Sequence, residues 1–397
     1  MSNLPYEILD HIVDLLHDSQ IPLGNCCLAS KSWIPRTRRH LFAEVRFQTA
    51  RNLQSWKKTF PDPSTSPACY TKALLIGPEV LTDADLYTSS WIGGFSRVVR
   101  LELVGQDPFG CGWRVACVLL PGFSPVVKSL RLDFSTFIGS PSQLFDLIFS
   151  FPLLENLSVI DYNTMFGDCG DPDEVSTVIQ PSSLSMFTGS LNLRLGRGIR
   201  SSVHRLLSLP GGVHFRKLTL AWSYGDDIPL MMALVEKCSH TLESLDIICD
   251  SLHSTSIRHL RLHGGNSPLF PASPESASFN LLKATKLQDA VFRPSALRVE
   301  WITLTLRVIT REHRDLRQIS VNVPSYLDHP LHVIDGDVRA AIGEEIFEQW
   351  LDLDRILVHI WESFSIRTNV KWTTGGNVGC LLPEMKKRGM VTTGLVG

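Results

Sequence analysis

The sequence predicts an α/β protein in which a short module of three helices precedes a long, irregular solenoid of repeats. Three observations lead to this prediction. Apolar residues are dense in the first 42 positions, an aliphatic pair recurs along the chain, and helical patterns lie between the pairs. The chain has 397 residues, of which 44% are hydrophobic and 20% charged. This length and composition are typical of a globular protein with more than one domain.

The N-terminal module, residues 1–47, is predicted to form three short helices. Pro5 suits the first turn of the first helix, where a missing N–H costs nothing. We expect a turn near residues 21–23, and Leu28, Trp33 and Leu41 to pack on one face of the first helix. The apolar residues of that helix cover more than one face: Ile8, Leu9, Ile12, Val13, Leu15 and Leu16. Because a unit of ~40 residues seldom covers so much apolar surface alone, the pattern indicates docking to a partner.

Short motifs at fixed spacing run through this module. They are Leu4-Pro5, Glu7-Ile8, Ile12 with Leu15-Leu16, Cys26 to Leu28, Lys31 to Trp33, and Arg39 to Phe42. This set resembles the F-box, and specifically the large F-box family of fungi, although Ala29-Ser30 stand where the family usually has Val-Cys. The resemblance implies binding to a Skp1-like adaptor of a cullin–RING ubiquitin ligase through Leu4, Pro5, Glu7, Ile8, Ile12, Leu16, Leu28 and Trp33. The alternative is an ordinary pair of amphipathic helices.

After residue 47 an aliphatic pair with one residue between its members recurs at separations of 27 to 34 residues. The pairs are Leu74/Ile76, Leu101/Leu103, Leu130/Leu132, Leu157/Val159, Leu191/Leu193, Leu218/Leu220 and Leu245/Ile247. Such alternation predicts strands with one buried face, and the period is that of leucine-rich repeats. The Asn that regular repeats place after the strand is replaced by Gln106, Ser135, Tyr162 and Ser223. The sequence therefore predicts an irregular leucine-rich-repeat solenoid over residues 48–375.

Helices are predicted between the strands, two of them opened by Pro141 and Pro229 and a third marked by residues 203–207. The composition of residues 251–280 predicts a surface loop. The elements expected beyond it are a strand at 290–292, a helix at 299–309, a strand at 319–321, a helix from about 338 to 364, a strand at 366–372, and a C-terminal cap or frayed tail over 376–397. A closed or doubly wound α/β fold is the alternative architecture, but no glycine-rich nucleotide motif supports it.

Residues beside and between the aliphatic pairs should point away from the core, because successive strand side chains alternate faces. Stacked strands would align them in a polar row of mixed charge. Such a row favours a protein target over nucleic acid, for which Lys and Arg should dominate. The candidate target-binding residues are Glu102, Arg131, Ser158, Asn192, Arg194, Thr219 and Asp246. Binding by the 251–280 loop is the alternative.

No motif predicts catalysis, so we expect no enzyme activity, no cofactor and no metal. The acidic residues between 168 and 174 lack calcium-loop spacing, His259 and His263 alternate with leucines as in a strand, and Asp227 is placed to cap a helix. The nine cysteines lack the spacing of a zinc site and are expected to be reduced, mostly buried thiols. A net charge of −2 and the absence of a long apolar run predict neither a nucleic-acid nor a membrane partner. We expect a cytoplasmic or nuclear location.

The functional prediction is a substrate receptor of an SCF-type ubiquitin ligase, which holds an unidentified target protein near the ubiquitin-loaded enzyme. Two alternatives stay open at the level of sequence. One is an interaction scaffold that binds the adaptor, or stands alone, without leading to ubiquitination. The other is a hydrolase or transferase built on an α/β core.

Overall fold

The structure, a computed structural model, describes residues 6–16, 19–81, 90–105, 122–123, 125–134, 148, 151–161, 187–195, 199–209, 211–222, 228–249, 278–294, 299–323, 344–372 and 380–393. The chain divides into two compact units, residues 1–185 and residues 186–397. Each unit contains a parallel sheet in which every described pair joins strands that are consecutive in the chain.

The first unit begins with three helices, α1 (Tyr6–Leu15), α2 (Gln20–Ala29) and α3 (Ile34–Leu41), with a 3-10 turn at Lys31–Trp33. The prediction of a turn at residues 21–23 is wrong, because these residues are helical and lie near the start of α2. Pro22 is tolerated there since the N–H groups of a first helical turn have no partner within the helix.

The sheet of the first unit has the order β1-β2-β3-β4-β5, all parallel. Its strands are β1 (Glu44–Phe47), β2 (Ala73–Ile76), β3 (Arg100–Gly105), β4 (Ser129–Phe134) and β5 (Asn156–Asp161). Helices α4 (Ala50–Thr59) and α5 (Pro78–Leu81) and two 3-10 turns, Pro67–Tyr70 and Ser90–Gly94, lie between β1 and β3. The sheet thus begins within the predicted helical module, since residues 44–47 pair with β2.

The sheet of the second unit has the order β6-β7-β8-β9-β10-β11-β12, again all parallel. Its strands are β6 (Ser190–Leu195), β7 (Lys217–Trp222), β8 (Ser244–Cys249), β9 (Asp289–Arg293), β10 (Gln318–Val323), β11 (Arg367–Trp372) and β12 (Val391–Thr393). The described helices are α6 (Ile199–Leu207), α7 (Ile228–Cys238), α8 (Glu300–Leu306), α9 (Glu344–Phe364) and α10 (Pro383–Lys387).

The seven predicted aliphatic pairs all lie in strands, and their side chains are at most 3% exposed. Consecutive repeats are also joined by a recurrent backbone contact just before the strand. The carbonyl oxygen of Lys72 accepts the N–H groups of Val99 and Arg100, and that of Arg216 accepts those of Glu243 and Ser244. This backbone contact joins repeats that lack the asparagine of regular leucine-rich repeats.

The prediction of an α/β array of strand-containing repeats is confirmed within each unit. Consecutive strand order contradicts the doubly wound alternative, in which the order reverses partway across the sheet. Residues 380–393 are not a frayed tail, because β12 pairs with β11 and α10 packs on α9. The helix predicted at Pro141 and the loop at 251–280 lie largely outside the described residues. Phe279, at the end of that predicted loop, is fully buried.

Candidate docking surfaces

Helix α3 contacts α1 chiefly through the carboxylate of Asp14, and Arg36 Nη1 also lies 3.9 Å from Asp10 Oδ2. Arg36 Nε donates to Asp14 Oδ1 at 2.8 Å and its Nη2 donates to Oδ2, while His40 Nε2 lies 2.7 Å from Oδ1. The hydrogen bonds from Arg36 and then from His40 hold the pKa of Asp14 well below its ordinary range. This polar contact sets which side of α1 faces the other helices.

Among the described side chains of the N-terminal module, residues 6–41, the apolar core is small. Val13 of α1 is buried together with Leu23 and Cys26 of α2, and Thr37 of α3 donates its hydroxyl to the Trp33 carbonyl at 2.7 Å. The other described apolar side chains of α1 and α2 lie outside this core. A unit with so few buried aliphatic side chains gains little free energy from burial.

The outer faces of α1 and α2 carry an apolar surface, here called the N-terminal apolar stripe. Of the nine large apolar side chains that are exposed in the described part of the chain, five belong to it. Their exposed fractions are Ile8 46%, Ile12 39%, Leu15 68%, Ile21 80% and Leu28 88%. The first three are spaced at i, i+4 and i+7, and the last two are seven apart, so each helix presents one continuous face.

The predicted adaptor-binding residues divide into three groups. Glu7, Ile8, Ile12 and Leu28 are exposed, while Leu16 and Trp33 are half-buried. Leu4 and Pro5 lie outside the described residues.

Leu28 was expected to pack beneath α1, and that expectation is wrong. It lies two turns from Ile21, on the face of α2 opposite Leu23. The sequence prediction omitted Ile21 because it placed a turn at this position. Once α2 is known to begin at Gln20, the seven-residue spacing of Ile21 and Leu28 identifies both as members of the stripe.

In the first unit, the register aligns the predicted target-binding residues. Glu102 pairs with Arg131, and Arg131 with Ser158, across β3, β4 and β5. All three lie on the face opposite the buried leucines, here called the first strand face. The predicted row therefore exists in this unit.

In the second unit, the corresponding row is longer. Asn192 pairs with Thr219 and Thr219 with Asp246, and the register continues to Val291 and Ser320. Asp246 is held by Arg293, whose Nε and Nη2 donate to its two carboxylate oxygens at 3.0 and 2.8 Å. The row and its flanking outward residues are here called the second strand face. Arg194 lies on β6 two residues after Asn192, on the same face, and pairs with Ala221 in register.

Other possible sites find no support in the described residues. They contain no group of three or more metal-ligating side chains. The acidic segment at 168–174, the histidines at 259 and 263, and Asp227 lie outside the described residues. Among the described thiols, burial raises the pKa of Cys238 to about 12, so this cysteine is not an activated nucleophile. No described helix is long and apolar enough to cross a membrane.

Comparisons with known proteins add little to this description. No family model matches the chain, and no curated protein matches it. The solved structure of a leucine-rich-repeat protein of Leptospira interrogans aligns with 86% of this chain and 92% of its own, at 10% identity and a TM-score of 0.22. A likeness at that score establishes neither fold nor function. The description of repeats therefore rests on the strand order and register of this chain.

Proposed function

We propose that this chain is an adaptor-docked target receptor: the N-terminal apolar stripe binds a Skp1-like adaptor, and the strand faces hold a target protein. On the basis of the F-box-like motifs in residues 4–42, we assign the chain and its adaptor to an SCF-type cullin–RING ubiquitin ligase. In this role the chain makes and breaks no bonds itself. It raises the local concentration of the target beside the ubiquitin-loaded enzyme.

The observation that carries the proposal is the concentration of exposed aliphatic side chains on α1 and α2. Elsewhere among the described residues, exposed large apolar side chains occur singly, as at Leu153 and Leu282. Single exposed aliphatics are normal on protein surfaces, whereas a continuous apolar face marks an interaction site. The small core of the module supports the same conclusion, because a partner would supply the missing burial.

The adaptor contact can be tested with the double variant Ile8→Ala/Ile12→Ala. Both side chains are exposed, so their truncation should leave the fold intact while removing part of the stripe. We expect binding to a purified Skp1-like adaptor to weaken by roughly 2–4 kcal/mol, as for central aliphatic anchors of other interfaces. Titration calorimetry measures this loss, and far-UV circular dichroism verifies that the variant is folded.

The matched control is Leu153→Ala/Leu282→Ala, which also removes two exposed leucine-sized side chains, each about half exposed at 48% and 49%. It should bind the adaptor as tightly as the parent. Equal affinity of the parent and the stripe variant, with both folded, would contradict the proposal.

A second experiment separates a ligase receptor from a scaffold that binds the adaptor without ubiquitination. The chain, the adaptor and a cullin–RING complex are combined with proteins captured from native cells on the strand faces. Ubiquitination of a captured protein, lost in the Ile8→Ala/Ile12→Ala variant, supports the receptor role. Capture without ubiquitination favours the scaffold.

A further inference from the structure

We propose that the second strand face binds an extended acidic segment of a partner protein along strands β10 and β11. The inference deepens the target-binding half of the proposed function and rests on it. It assigns to the second strand face a charged site that the first strand face lacks, and it names the chemistry of the segment bound there.

The unbalanced charge of the second strand face is its first distinguishing feature. Four cations on this face have no ion-pair partner among the described residues: Arg194, Lys217, Arg367 and Lys371. Asp246 is neutralised by Arg293, and Asp289 is the other carboxylate of the face, with no ion-pair partner among the described residues. The face therefore carries excess positive charge, although the whole chain has a net charge of −2.

The first strand face has the opposite arrangement. Its three cations and three carboxylates all form ion pairs within the face. The distances between charged atoms are 2.6 Å for Arg46–Glu44, 3.1 Å for Arg100–Glu44, 3.7 Å for Arg100–Glu102 and 2.9 Å for Arg131–Asp133. An acidic ligand would have to break these pairs, so the charges of the first face do not favour it.

Strands β10 and β11 contribute hydrogen-bond acceptors as well as charge. Arg367, Asn369 and Lys371 alternate on the outer face of β11, and Asn322 of β10 pairs with Lys371 in register. The Oδ1 atoms of Asn322 and Asn369 are buried and accept no hydrogen bond from the described residues. Acceptors without donors are costly, and because both side chains are partly exposed, rotation of their amides would bring these oxygens to the backbone N–H groups of an extended peptide.

The spacing of the two cations specifies the segment. Arg367 and Lys371 are four residues apart on one strand, which places their backbones roughly 13 Å apart. An extended peptide lying along β11 would match them with carboxylates four residues apart. The preferred ligand is therefore a segment with Asp or Glu at positions i and i+4 and small or polar residues between them.

A protein segment fits this face better than a nucleic acid. A phosphate backbone requires a contiguous track of Lys and Arg. On this face Asp289 lies beside Gln318 in register, between the cations of β7 and those of β11. Two cations flanked by amides suit the less dense charge of an acidic peptide.

The test is a selection of random twelve-residue displayed peptides on the full chain. Enriched peptides are then synthesised with a fluorophore, and their affinity is measured by anisotropy. We expect acidic residues with i, i+4 spacing to be enriched. Neutralisation of two charge contacts in Arg367→Gln/Lys371→Gln should weaken binding by about tenfold, and added salt should weaken binding to the parent.

The matched control is Lys283→Gln/Lys286→Gln, which removes two exposed cations of the second unit that lie outside its strands and should bind the selected peptides like the parent. The charge-reversed variant Arg367→Glu/Lys371→Glu should lose more affinity than the Gln variant. Adaptor binding is measured on the same proteins and should be unchanged, so that failure of this site is distinguishable from failure of the adaptor contact.

Three outcomes would overturn the proposal. The first is a selection that enriches no peptide or enriches peptides without acidic residues. The second is equal loss of affinity in the Lys283→Gln/Lys286→Gln control. The third is displacement of the peptide by single-stranded DNA that binds the parent more tightly, which would assign the face to nucleic acid.

Discussion

The N-terminal helices and the strand arrays differ in how far their aliphatic side chains are buried. In β7 the pair Leu218 and Leu220 is essentially inaccessible to solvent, whereas in α1 Ile8 and Ile12 remain about half exposed. Both regions are rich in aliphatic residues at regular spacing. The spacing alone therefore does not reveal whether a face is buried.

The difference arises from the neighbours that each region has. Each inner strand of an array pairs with the next repeats on both edges, and where connecting helices are described they pack on the strands, as α7 does on β7. Helix α1 contacts α3 through the Asp14–Arg36 pair and buries Val13, whereas its outer face has no described neighbour. Aliphatic side chains in the arrays thus contribute to stability, and those of the stripe are available for binding.

The largest expected effect is on stability within the arrays. Leu220→Ala removes a fully buried side chain from β7, and its cavity should cost about 3 kcal/mol of unfolding free energy. Ile12→Ala should cost less than about 0.5 kcal/mol, because its side chain lies at the surface. Urea unfolding of both variants measures the contrast. Similar losses would mean that the stripe is part of the core.

A smaller effect is expected at the last repeat, which depends on a buried carboxylate. Asp354 of α9 accepts the N–H groups of Glu384 and Met385, both at 2.9 Å, at the start of α10. Asp354→Ala leaves these donors without a partner and should cost roughly 1–3 kcal/mol. Asp354→Asn keeps one acceptor oxygen and should cost less. An alanine variant as stable as the parent would show that α10 does not need this cap.

The same carboxylate predicts a pH dependence. Burial raises the pKa of Asp354, and the two N–H bonds oppose the rise without cancelling it. The carboxyl proton of Asp354 is therefore bound more tightly in the folded chain than in the unfolded chain. The contribution of Asp354 to folding stability is largest below its ordinary pKa and is lost as pH rises through the raised pKa. The stability difference between the parent and Asp354→Asn should fall as pH increases over this window. A stability difference between the parent and Asp354→Asn that grows with pH would contradict a raised pKa for Asp354.

The smallest effect concerns the attachment of α1. Asp14→Asn weakens the contact with Arg36 and His40, and hydrogen exchange of residues 6–15 should accelerate while the strands are unaffected. The pKa of Asp14 is lowered in the folded chain. Its contribution to the stability of this contact is therefore present above the ordinary pKa of Asp and is lost as pH falls through the lowered pKa. Exchange in α1 that is unchanged by the substitution would show that the apolar core alone holds the helix.

Sequence reasoning located the strands well because burial of alternate residues leaves a strong local signal. All seven aliphatic pairs lie in strands, and so do the segments around 290–292 and 319–321. It missed β1, because the alternating Val45 and Phe47 fall in the segment assigned to the helical module, and β12, whose pairing with β11 has no signature within its own three residues.

The candidate sites were harder to predict because they depend on orientation between elements. Glu102, Arg131 and Ser158 align as expected, since register follows from the repeat itself. The exposure of Leu28 and Ile21 depends on how α2 turns about Leu23, which spacing does not determine. The unpaired cations Arg367 and Lys371 emerge only when each charge on the face can be matched with its neighbours.

Side-chain footprinting of the full chain, alone and with a Skp1-like adaptor, tests the central claim most directly. Carbene labelling followed by mass spectrometry reports the exposure of each aliphatic side chain. We predict that Ile8, Ile12, Leu15, Ile21 and Leu28 are labelled in the free chain and protected in the complex, while Leu153 and Leu282 stay labelled in both. Unchanged labelling of the five stripe residues in the presence of saturating adaptor would contradict the account.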